Sequence, residues 1–62
     1  MPNFKATLVR VENSLYGVDI TGIEFTFVSA NQSTAEEFAE KFSDNLPSAY
    51  GVFDIDEVYE TT

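Results

Sequence analysis

Six phenylalanines must do for this chain what disulfides or a zinc ion do for many others of its length. There are 62 residues and no cysteine, so no disulfide can close and no thiol can hold a metal. A chain this short makes one domain, residues 1–62, and buries only roughly 60% of the surface it exposes when unfolded. Each large apolar side chain contributes roughly 1.5–3 kcal/mol when fully buried. Phe, Tyr, Val, Ile and Leu together can therefore close a small sheet against one helix, with marginal stability. Dimerisation or partner binding would add to it.

The apolar spacing says where those elements lie. Phe4 to Val11 reads as a first strand, with Phe4, Ala6 and Leu8 on one face and Val9 and Val11 on the other. Apolar residues on both faces mark a central or bulged strand. Glu12 to Gly22 is irregular, with turn residues at Asn13-Ser14 and Gly17. Val18 and Ile20 read either as an extension of the next strand or, with Leu15 and Tyr16, as an exposed apolar anchor. Ile23 to Val28 alternates strictly, Ile23, Phe25 and Phe27 inward and Glu24 and Thr26 outward.

Ser33-Thr34-Ala35-Glu36 has the form of a capping box, which would put Glu36 and Glu37 in the first turn of a helix. Ala35, Phe38, Ala39, Phe42 and Leu46 continue as one apolar stripe. Pro47 closes the helix, because the residue before a proline is pushed out of the α region. Ser48 to Gly51 follows as a turn. Val52 to Tyr59 is the last strand, and its parity fails after Ile55 in a way that a bulge at Asp56-Glu57 repairs. The expected fold is α+β, a ββαβ domain whose three-stranded antiparallel sheet has the order 2-1-3 with the helix on one face. Phe25, Phe27, Phe53 and Ile55 should meet Phe38 and Phe42.

Charge carries the functional information. Eleven acidic residues stand against three basic ones, a formal charge of −8, and eight of the acids lie between Glu36 and Glu60. Such a surface repels nucleic acid and attracts a basic groove. Glu36, Glu40 and Asp44 recur every four residues, opposite the Phe stripe, where each like-charge pair costs roughly 0.2–0.5 kcal/mol. Consecutive members stand about 6 Å apart along a helix. Asp54 and Asp56 stand about 6.5–7 Å apart along a strand. Phosphates on one DNA strand have a broadly similar repeat, so the two rows would imitate a nucleic-acid backbone. The competing explanation is a solvated coat that keeps the protein soluble.

The residues for catalysis are largely missing. No histidine shuttles protons, no cysteine serves as nucleophile and no glycine-rich loop precedes the helix. We expect no enzyme and no cofactor. Asp54-Ile55-Asp56-Glu57 offers at most three or four oxygens where calcium takes six to eight, and a solvated strand face explains it better. No signal-peptide pattern and no apolar run of membrane-spanning length occurs, so the expected compartment is the cytoplasm, of the host if the protein is viral. Asn31-Gln32-Ser33 matches a glycosylation sequon, read as coincidence in that compartment.

The second strand, then Ser29-Ala30-Asn31-Gln32-Ser33-Thr34-Ala35-Glu36-Glu37-Phe38-Ala39-Glu40, then a Gly-led strand, resembles the small inhibitor that some podoviruses make against bacterial RNA polymerase. That resemblance covers about the last two-thirds of the chain. It implies a short sheet with one helix and a polymerase bound through a negatively charged strip. The family's last strand carries functional arginines, whereas no arginine follows Arg10 here, so no functional residue carries over. The reading is a phage-encoded acidic binder that inhibits or modulates a host nucleic-acid-handling enzyme: RNA polymerase, a restriction or CRISPR effector, or a repair nuclease. Glu36, Glu40, Asp44, Asp54, Asp56 and Glu57 would be the contacts, with Tyr16 or Tyr59 as anchor. The alternative is a self-associating accessory subunit, a homodimer joined at an open sheet edge.

Overall fold

The computed structural model describes residues 1–61, in which β1 (Asn3–Glu12), β2 (Gly22–Val28), α1 (Gln32–Asp44), a 3-10 turn (Ser48–Tyr50) and β3 (Val52–Glu60) follow one another. The sheet has the order β2-β1-β3, with β1 antiparallel to both neighbours. This is the α+β topology expected from the sequence. Placing β1 in the centre explains its two-sided pattern: Phe4, Ala6 and Leu8 are buried, while Val9 and Val11 emerge on the other face. The inward row is the floor of the core, and Phe4 and Leu8 are its largest fully buried side chains.

The bulge in β3 falls where the parity fails. Thr7 pairs with Glu57 and Leu8 with Ile55, so Asp56 is the extra residue. Without it, Val58 would face solvent and Glu57 the core. A second irregularity, between Arg10 and Glu12, leaves Val11 as the extra residue on β1. Across the inner face, Phe25 stacks on Phe42 with ring centroids 4.1 Å apart and Phe27 lies 4.7 Å from Phe38. Phe53 is buried beneath the carboxyl-terminal part of the helix, where Ser43 Oγ donates 2.8 Å to its carbonyl.

The helix start differs from expectation. Asn31, not Ser33, is the N-cap: its extended backbone (φ −160°, ψ 178°) stops the helix, and its side chain accepts from the Thr34 amide at 2.9 Å. Thr34 Oγ1 accepts from the Asn31 amide in return at 3.3 Å, completing a capping box two residues earlier than Ser33-Glu36. The first turn therefore contains no acid, and Glu36 and Glu37 sit one turn further on. Both spacings fit the capping pattern. The Asn31 box prevails because Thr34 Oγ1 also bonds Ser29, a buried residue at the end of β2, which ties the cap to the sheet. Asn31→Ala should cost about 1 kcal/mol, and Ser33→Ala much less, in urea denaturation.

The apolar stripe is also narrower than expected. Ala35 and Ala39 are fully buried, whereas Phe38 is 46% exposed at the rim. Two alanines let the helix approach the sheet closely, and the Phe rings fill the wedge on the β2 side. Val18 and Ile20 do not extend β2, which begins at Gly22. They are half-buried in the Asn13–Thr21 loop, which is pinned by Arg10: its amide donates to the Thr21 carbonyl at 3.1 Å and its guanidinium to Val18 at 3.3 Å.

Gly51 turns the chain into β3 with φ +103°, a conformation that side chains rarely adopt. An added Cβ would strike the Glu12 carbonyl oxygen and the Arg10 side chain. Gly51→Ala should cost at least the roughly 1–3 kcal/mol of a strained backbone position, read from the urea midpoint.

Candidate acidic docking edge

The helix runs antiparallel to β3 and is hooked onto it. Near its start Gln32 Nε2 donates to the Val58 carbonyl at 2.7 Å, and near its end Ser43 Oγ reaches Phe53. These bonds set Glu36, Glu40 and Asp44 in line along β3. Glu36 and Glu40 border a shallow depression with Ile55, Asp56 and Val58, and Glu40 and Asp44 border the next with Phe53, Asp54 and Ile55. The helical acids are thus beside the β3 edge, where the sequence had placed them straight across from the Phe stripe.

Asp54 and Glu57 pair with Val9 and Thr7, outward-facing residues of β1, and Asp56 Oδ2 lies 3.5 Å from the Thr7 hydroxyl. Asp54 and Glu57 therefore belong to the sheet face away from the helix, while the bulged Asp56 stands at the strand edge, within reach of Thr7 on that face and bordering the depression with Glu36 and Glu40. The two rows are not one flat plane. They flank the β3 edge from its two sides, and all six carboxylate residues are exposed.

The distribution of cations sharpens the picture. Lys5 pairs with Glu24 at 2.6 Å, Arg10 with Asp19 at 3.7 Å and Lys41 with Glu37 at 3.1 Å. Those are all three basic side chains, and removing their partners from the eleven acids leaves eight without a salt bridge among the described residues. Glu12 apart, the eight are Glu36, Glu40, Asp44, Asp54, Asp56, Glu57 and Glu60, all on α1 or β3. The whole net charge of the fold is carried essentially by one edge. The hydrogen bond and charge of Glu24, and then Tyr59, raise the pKa of the Lys5 ammonium above the ordinary lysine value.

Tyr16 and Tyr59 are not brought together. Tyr16, 76% exposed, projects from the Asn13–Thr21 loop, which Ser14 fastens to the Ala49 carbonyl in the 3-10 turn. Tyr59 pairs with Lys5 at the opposite end of β3. They cap the two ends of the acidic edge. Sequence reasoning missed the hooks Gln32 and Ser43. It gave no functional role to Glu60 or Val52, nor to Val9 and Val11, which it had read on the second face of the first strand and which lie on or flank the acidic sheet face. Val9 and Val11 were visible as broken parity in β1. Nothing in the spacing of Gln32 and Ser43 set them apart from other polar helix residues.

Among the described residues, no group of three or more carboxylates is arranged to hold a metal ion, and no helix is long and apolar enough to cross a membrane. No family model, curated protein or solved structure matches this chain.

Proposed function

We propose that this protein is a small acidic binder, phage-encoded, that docks the β3 edge into a basic, nucleic-acid-handling surface of a host enzyme and thereby inhibits or modulates it. The observation that supports the reading is the segregation of charge: Lys5 and Arg10 are spent on Glu24 and Asp19, away from α1 and β3, Lys41 is spent on its helix neighbour Glu37, and seven carboxylates of α1 and β3 are left without a salt bridge among the described residues. A merely solubilising coat would gain from spreading its charge, since like charges at four-residue spacing on α1 destabilise the helix. Two acidic rows on either side of a narrow edge present charge as a nucleic-acid backbone does, in parallel lines at a repeat of about 6–7 Å. Tyr16 and Tyr59, at the ends, supply apolar anchor surface. Bacterial RNA polymerase, a restriction or CRISPR effector and a repair nuclease all offer such a groove.

Binding of this kind is fast and salt-sensitive, because exposed charges act chiefly through steering. With purified bacterial RNA polymerase as the first probe, and a nuclease-bearing host lysate as the second, capture should be strong at low salt. It should fall steeply with added salt and yield to competing DNA. Capture that is indifferent to both salt and DNA would reject the reading.

A further inference from the structure

The sheet has two edges, and they are built differently. Along β3, the Phe53 and Val58 carbonyls accept from Ser43 and Gln32, Asp56 bulges out, and carboxylates stand on both sides. Each of these devices blocks strand addition. Along β2 there is none. Gly22–Val28 is an unbroken run of seven residues without proline or bulge, and its one carboxylate, Glu24, is neutralised by Lys5 at 2.6 Å.

The hydrogen-bond phase shows which groups of β2 are free. Arg10 N donates to Thr21 O, and Ser29 N donates to Pro2 O. In an antiparallel ladder that phase turns the backbone of Ile23, Phe25 and Phe27 toward β1. Gly22, Glu24, Thr26 and Val28, all exposed, direct their amides and carbonyls away from the sheet.

We propose that β2 pairs with β2 of a second copy, antiparallel about a two-fold axis at Phe25, to make a continuous six-stranded sheet. This register uses all seven residues and sets Glu24 of each copy opposite Thr26 of the other. Centring on Glu24 instead would oppose two carboxylates. On the inner face Phe25 meets Phe25, and Ile23 meets Phe27 beside the 46%-exposed Phe38, so the aromatic core continues across the axis. In a chain of charge −8, β2 is the one strand edge along which two copies meet without opposing carboxylates. Both β3 edges end up at the far ends of the assembly, so this inference stands independently of the docking function and leaves that surface free, in duplicate.

Sedimentation equilibrium on the full chain should show a monomer–dimer equilibrium that tightens as salt screens the residual repulsion, the opposite sense to docking on a basic partner. Thr26→Pro removes an amide that β1 does not use and is tolerated on an edge. It should weaken the dimer at least about tenfold, through two lost hydrogen bonds, with the circular dichroism spectrum unchanged. A second measurement fixes the register whatever the fate of that variant. Glu24→Cys and Thr26→Cys chains, mixed and oxidised, should cross-link to each other, since directly opposed residues have Cα atoms about 5.5 Å apart. Each alone should cross-link poorly, because like positions then lie beyond about 7 Å. A wild-type chain that is monomeric up to about millimolar concentration overturns the proposal and leaves β2 to an extended segment of another protein. A dimer that survives Thr26→Pro, or cross-links through like positions, overturns it as well.

Discussion

Phe4→Ala should unfold most of the protein at 37 °C, while Phe38→Ala should leave it folded. Phe4 is 1% exposed at the floor of the core, on the central strand, with Phe27 stacked at 6.1 Å. Removing a buried ring costs about 3–5 kcal/mol, because the cavity adds to the lost transfer energy. At roughly 0.05–0.15 kcal/mol per residue, a chain this long has only a few kcal/mol in total. Phe38 sits at the rim, almost half exposed, and its loss should cost no more than about 1–2 kcal/mol. Urea denaturation of both variants separates the two cases. Equal losses would mean that the core is not centred on β1.

Those two rings also mark how far the sequence could be read. The strand order, the antiparallel pairing and the bulge at Asp56 were all legible, because parity is a hard constraint when one face is buried: a single misplaced residue sends Val58 or Glu57 to the wrong side. Burial within the helix was less legible. Ala35 and Phe38 both belong to a stripe of period 3.6, and only the seating of the helix over β3, tethered there by Gln32 and Ser43, puts one in the core and the other at the rim. The cap was ambiguous for a similar reason. Asn31-x-x-Thr34 and Ser33-x-x-Glu36 both satisfy the local rule, and the contact that decides between them comes from Ser29 on the sheet. At the acidic edge, spacing along α1 gave the rows. Their arrangement on two sides of β3 depended on the helix–strand crossing, which no local pattern encodes.

Neutralising the edge should separate stability from binding. Replacing Glu36, Glu40 and Glu57 by Gln and Asp44, Asp54 and Asp56 by Asn removes six charges and takes the formal charge from −8 to −2. None of the six side chains is buried or engaged in a salt bridge, so no core contact is lost. Two like-charge pairs on α1 disappear, each having cost roughly 0.2–0.5 kcal/mol. The variant should be as stable as the parent or slightly more so. Its association with a basic partner should nevertheless slow by about 10- to 1,000-fold, the range that electrostatic steering spans. A control variant with Glu12, Asp19 and Glu24 neutralised removes charge outside the edge and should bind nearly as the parent does.

The most direct test pairs these two variants in one experiment. Parent, edge-neutralised and control proteins are immobilised at equal density, and the association rate of purified bacterial RNA polymerase, or of the basic protein captured from host lysate, is measured at low salt. The segregated edge predicts that parent and control bind alike and that the edge-neutralised protein, folded by circular dichroism, does not. An edge-neutralised protein that binds as fast as the parent would contradict the account.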